Sequence, residues 1–224
     1  MTDFLPREPE PELMDIPAEA DAYARADFAS VNEAFAERLV ELAGHLPDAR
    51  AVDLGTGPAD IPVRVARRLP GWRIAVVDAA EAMLEHARKI ITEAGLADRV
   101  QPVLADAKNT HLPEGSFDVV FSNSILHHID ETGAFWRELR RIGRSGAVVL
   151  VRDLARPATR AAADEIVALY ASGESKLLRE EFHRSLLSAY TPDEVRYQLD
   201  LSGLNTLKVE MVSDRHLDVY GRLP

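Results

Sequence analysis

Between Ala51 and Val151 the chain repeats one pattern: a short unbroken apolar run, then a longer amphipathic stretch. The apolar runs are Ala51–Leu54, Ile74–Val77, Val100–Leu104, Phe117–Phe121 and Ala147–Val151. Helix-like stretches lie near 58–69, 80–94 and 131–142. Helices placed between consecutive strands act as crossovers, and crossovers make the strands parallel. Runs that do not alternate with polar residues belong to strands covered on both faces. The pattern predicts an α/β fold with a mostly parallel, doubly wound sheet.

The flanks read differently. Residues 1–20 place Pro6, Pro9, Pro11 and Pro17 among glutamates and predict an irregular arm. Ser30 and Glu33 have capping-box spacing, and Val31, Ala34, Phe35, Leu39 and Leu42 follow at helical spacing, with Gly44 as the stop. Residues 160–189 predict two helices split near Ser172-Gly173, a small helical cap. Thr191-Pro192-Asp193-Glu194 is a helix start with a capping threonine, a first-turn proline and a reciprocal glutamate. That helix is expected to end near Gly203. Thr206–Val212 and Leu217–Tyr220 suit a terminal hairpin.

Composition narrows the function classes. With 224 residues, the chain suits one domain of ordinary size. Its 26 basic and 37 acidic side chains give a net charge of −11, which argues against a nucleic-acid backbone as partner. Arg137, Arg140, Arg141 and Arg144 read as a solvated stripe. Without cysteine there are no disulfides, thiolate zinc sites or cysteine nucleophile, which fits a reducing cytoplasm. The acidic, proline-rich start is unlike a signal peptide, and no apolar stretch approaches the roughly 18 residues of a membrane helix. The expectation is a cytoplasmic protein with no membrane insertion; the oligomeric state is not legible.

The densest chemical signal is Val52-Asp53-Leu54-Gly55-Thr56-Gly57-Pro58-Ala59-Asp60, which joins the first strand to the first crossover helix. Glycines there let backbone pass close under a ligand, with turn amides free to face it. A dinucleotide fingerprint needs a third glycine, and Asp60 holds its place. Asp53 adds another negative charge, so the turn suits a cationic ligand better than a pyrophosphate. Asp78 ends the second strand about 20 residues on, where a carboxylate takes both hydroxyls of a ribose. Asp106, followed by Ala107, is placed after the third strand to receive an adenine amino group. An uncharged ribose, an adenine and a cationic tail together describe S-adenosylmethionine.

Asp53-Leu54-Gly55-Thr56-Gly57 resembles the first motif of class I S-adenosylmethionine-dependent methyltransferases. Asp78 and Asp106 match that family's ribose-side and adenine-side acids. Phe117–Asn123 resembles its fourth strand, and Leu139–Val151 the segment leading into its fifth. The likeness covers roughly residues 45–155 and is greatest to the ubiquinone/menaquinone-biosynthesis branch. It implies a Rossmann-like sheet of seven strands with a reversed C-terminal hairpin. It also implies S-adenosylmethionine as cofactor and a small-molecule acceptor. Residues 1–44 become an arm and cofactor-covering helix, with Tyr23 reaching the cofactor carboxylate. Residues 45–224 become the methyltransferase domain, with a helical insertion at about 156–190. Asn123 is placed against the methionine portion, and Met83 against the adenine unless it is core.

Methyl transfer to an acceptor needs alignment, desolvation and sometimes a base. The candidates on the acceptor side are His127 and His128, after the fourth strand. A metal at this pair is not expected, since adjacent side chains diverge and no further ligands cluster nearby. Tyr170, Phe182, His183 and Tyr190 of the insertion are candidates for an acceptor pocket. Two alternatives stand: a non-catalytic S-adenosylmethionine-binding regulatory module and an NAD-dependent oxidoreductase, the latter disfavoured by Asp60.

Overall fold

The computed structural model describes residues 5–11, 28–43 and 45–224. A single sheet runs through them, built from β1 (Arg50–Leu54), β2 (Arg73–Asp78), β3 (Val100–Leu104), β4 (Phe117–Asn123), β5 (Gly143–Leu154), β6 (Lys208–Met211) and β7 (His216–Arg222). Its order is β3-β2-β1-β4-β5-β7-β6. The first five strands pair in parallel. β7 inserts antiparallel between β5 and β6 and closes that edge. This is the seven-stranded, doubly wound sheet with a reversed terminal hairpin. The strand order reverses direction at β1, so the crevice lies beyond the carboxyl ends of β1 and β4.

Helices cover both faces. On one face α1 (Ala29–Ala43), α2 (Asp60–Arg68) and α3 (Glu81–Glu93) bury Phe35, Leu39, Val65 and Leu84 against Ile74, Phe121 and Leu150. On the other, α4 (Thr132–Ile142) and α7 (Pro192–Leu201) bury Phe135, Trp136, Leu139 and Leu199 against Val52, Val120 and Val149. Successive β5 residues thus feed opposite cores, which is why the strand reads as an unbroken apolar run. The insertion forms α5 (Arg160–Tyr170) and α6 (Lys176–Ser188), packed on each other around Ala163, Leu186 and Phe182.

Three local expectations change. Helix α1 begins at Ala29, so Ser30 lies inside it, and Glu33 reaches Arg64 and Arg68 of α2 instead of a capping site. Gly44 lies outside the described residues, as does Tyr23. Strand β5 runs on past Val151 through Arg152 and Asp153. Arg152 is the register partner of Asp218 on β7 and donates to it twice, at 2.6 and 2.8 Å, so a cross-strand ion pair continues the ladder where apolar residues stop. The arginine stripe is engaged locally: Arg141 with Glu138, Arg144 with Asp118. The Thr191 capping box is present, with Glu194 Oε2 accepting from the Thr191 amide at 2.7 Å.

Candidate cofactor and acceptor site

A cavity of about 360 Å³ opens at the carboxyl ends of β1, β2 and β4. Asp53, Gly55, Thr56, Gly57, Asp78, Met83, Asp106, Ala107, Asn123 and His128 all line it. The glycine turn gives it shape. Gly55 has φ +74° and Gly57 φ +54°. A Cβ on Gly55 would lie 2.2 Å from Ile125 Cγ2, so the β4 loop closes directly on the turn. Ser124, also on the cavity wall, and Ala59, within the turn, take left-handed conformations, at φ 59° and 66°. Such backbone persists only where its surroundings hold it.

The turn amides do not face the cavity freely, as the sequence had suggested. Gly55 and Thr56 donate to the Val77 carbonyl at 2.8 and 2.9 Å. Gly57 donates to Asp78 Oδ2 at 2.8 Å, and Ala80 to Asp78 Oδ1 at 2.9 Å. These three turn amides are therefore spent within the fold. A carboxylate accepts through about four lone pairs, so Asp78 keeps capacity for hydroxyl donors after holding the turn.

The acids differ in charge state. Burial pushes Asp53 up to about 7, and the nearby Asp78 charge adds to the shift. Burial also raises Asp78, against the pull of its backbone amides. Asp106 is exposed, accepts from the Lys108 amide and faces the Lys108 ammonium at 3.4 Å. Asp60 is partnered by Arg64 at 2.7 Å and by Asn32 at 2.9 Å, so its charge is largely offset.

The two histidines separate. His128 lines the cavity and burial holds it near 4, a neutral imidazole. His127 is buried away from the cavity lining, its Nδ1 2.5 Å from Asp153 Oδ1. Despite its own burial, Asp153 and Glu10 lift its affinity for a proton. The expected divergence of the pair does not occur: they sit on the 3-10 turn Leu126–His128 with ring centroids 4.2 Å apart.

None of the insertion aromatics reaches the cavity wall. Tyr190 donates to the Ile129 carbonyl, Tyr170 to Asp214, His183 faces Asp164, and Phe182 packs in the α5–α6 core. Sequence reasoning missed Phe28, Asn32, Arg64 and Lys108 on the wall. It also missed Asp153, whose position at a strand end was the available signal.

The sheet order, the reversed hairpin and the glycine turn are those of the class I S-adenosylmethionine-dependent methyltransferase fold. Residues 51–146 match the family described as a methyltransferase domain. The malonyl-[acyl-carrier protein] O-methyltransferase of Legionella pneumophila is 35% identical over 125 residues, covering 55% of this chain and 42% of that protein. The ubiquinone/menaquinone biosynthesis C-methyltransferase UbiE of Ectopseudomonas mendocina is 29% identical over 119 residues, covering 53% and 46%. The chain thus spans under half the length of these relatives. Among solved structures, a putative S-adenosyl-L-methionine-dependent methyltransferase from Methanococcus maripaludis superposes with a TM-score of 0.72 at 22% identity, covering 95% of both chains. Among the described residues no helix is long and apolar enough to cross a membrane.

Proposed function

We propose that this chain is an S-adenosylmethionine-dependent methyltransferase acting on a small-molecule acceptor. The observation that carries the reading is the convergence of Asp53, Asp78 and Asp106 from three successive strand ends on one cavity. The donor set fits the cofactor. Asp78 offers acceptor lone pairs to ribose hydroxyls, Asp106 an acceptor to an adenine amino group, and Met83 an apolar contact for the ring. Asp53 offers negative charge to a sulfonium. The cationic side chains on the wall, Arg64 and Lys108, already face Glu33, Asp60 and Asp106, which disfavours a phosphate ligand.

Ile125 and His128 form the wall beyond the glycine turn, and we assign that side to the acceptor, with Asn123 against the methionine portion of the cofactor. The bound cofactor supplies an activated methyl group. The chain's part is to align it with the acceptor and exclude water. Held near 4, His128 is too weak a base to carry the reaction alone near neutral pH. The methyltransferase names of the relatives and the absence of cysteine support a cytoplasmic small-molecule enzyme. The test is incubation of the purified chain with methyl-labelled cofactor and a fractionated metabolite extract. Label must pass to a low-molecular-weight product in an enzyme-dependent way. Binding without any transfer supports the regulatory-module alternative instead.

A further inference from the structure

Beside the cavity, three side chains converge that methyl transfer does not by itself require. Glu10 Oε1 lies 3.4 Å from His127 Nε2 and 3.3 Å from His128 Nδ1. All three ligand atoms fall within 4.8 Å of one another. Both separations exceed the usual N–H···O range of 2.7–3.2 Å. They agree with the roughly 3.3 Å between neighbouring ligands on a tetrahedral cation whose bonds are about 2.0–2.1 Å long.

The surroundings are those of a built site. His127 Nδ1 is fixed by Asp153, a buried carboxylate that also accepts from the Leu126 amide at 2.5 Å and the Leu154 amide at 2.7 Å. A carboxylate on the far nitrogen of a histidine sets the tautomer and ring direction, which is how metal-ligating imidazoles are held. Glu10 is carried in by the arm and anchored. Ser185 donates to its Oε1 at 3.0 Å, and three residues earlier Arg7 donates to the carbonyls of Ser188 and His127 at 2.6 and 2.8 Å. The Pro11 carbonyl accepts from His128 Nδ1 at 3.2 Å, so a cation held there requires the other tautomer, with the proton on Nε2.

We propose that Glu10, His127 and His128 bind one divalent transition cation of the zinc type, with a coordination position left for an oxygen of the acceptor. Two imidazoles and one carboxylate make a three-ligand set of the kind that leaves a fourth position open. His128 belongs both to this set and to the cavity wall, so a bound cation stands next to the space assigned to the acceptor. There it would lower the proton affinity of an acceptor hydroxyl. The acceptor class is therefore an oxygen-bearing molecule. This last step rests on the methyltransferase reading; the metal site does not.

The experiment titrates cobalt(II) into the chelator-stripped full chain, followed by visible absorption and calorimetry. The expected result is one equivalent with the intense absorption of tetrahedral cobalt, displaced by zinc. Glu10→Gln and His128→Ala should each weaken it at least tenfold, while His183→Ala leaves it unchanged. Glu10→Gln lies in the arm and spares the core, so loss there is not misfolding; circular dichroism checks this. Asp153→Asn should weaken binding about 10–100-fold. Absence of stoichiometric binding, or binding that both ligand variants leave intact, overturns the site. S-adenosylhomocysteine affinity is measured on the same samples. Cobalt bound without it would retain the metal site and remove the cofactor reading.

Discussion

The carboxylate of Asp78, the last residue of β2, accepts the amide of Gly57 at 2.8 Å across 21 positions of sequence. One side chain therefore shapes the turn after β1 and faces the cavity from β2. Its second oxygen accepts the amide of Ala80, the residue before α3. Asp78→Ala should weaken S-adenosylhomocysteine binding by about 1–3 kcal/mol, the range for losing hydrogen bonds to a charged group. Asp78→Asn should lose less, since its amide oxygen still accepts one backbone amide. Calorimetry on the three proteins checks the order.

The buried Asp53 makes cofactor affinity depend on pH. Its folded value of about 7 stands above its ordinary 3.8, so the ligand-free fold loses stability through this group as pH climbs between those values and is level above. A cationic ligand favours the ionised carboxylate, so binding below about pH 7 releases a proton. Affinity for S-adenosylmethionine should rise as pH increases through neutrality and then flatten. S-adenosylhomocysteine, with a neutral thioether, should show a shallower slope. Proton release is read by calorimetry in buffers of different ionisation heat.

Gly55→Ala tests how tightly the β4 loop closes on the turn. The new methyl would meet Ile125 at 2.2 Å on backbone already at φ +74°. Overpacking costs roughly 1–3 kcal/mol, and the left-handed backbone adds to it. Urea unfolding should show that loss, and cofactor affinity should fall with it. Replacing Ile125 by alanine in the same chain should recover part of the steric share alone.

The Arg152–Asp218 pair, with Asp218 fully buried, holds the reversed strand beside β5. Removing one partner leaves the other charge uncompensated, a loss of about 3–5 kcal/mol. Asp218→Ala should show it in denaturant unfolding. A double replacement, Arg152→Met with Asp218→Leu, should come close to the parent protein, since the pair specifies register more than it stabilises.

Alternation of apolar runs was enough to read the parallel core, because strands buried on both faces carry the signal in every residue. The ends were less legible. Strand β5 outlasts its apolar run because Arg152 finds Asp218 some 66 positions away, and no local pattern announces that partner. The cavity wall was legible where acids follow strands, as at Asp78 and Asp106. It was misread where the turn amides, expected to face the cavity, proved to be spent on Val77 and Asp78. The acceptor side was least legible. Tyr170 and Phe182 look like pocket residues by composition, yet Phe182 packs between α5 and α6 and Tyr170 turns outward to Asp214, so neither reaches the wall. The approach of Glu10 to His127 and His128 joins an arm of no regular structure to a turn over 100 positions away, and only tertiary packing brings it about.

The central claim is that the cavity at Asp53, Asp78 and Asp106 holds a sulfonium nucleoside. Its most direct measurement is calorimetric titration of the full chain with S-adenosylmethionine, S-adenosylhomocysteine and NADH. The expected result is one-to-one binding of the first two, weakened by Asp78→Ala, and none of the third. A folded chain that takes up neither sulfur nucleoside at saturating concentration, or that prefers NADH, would contradict it.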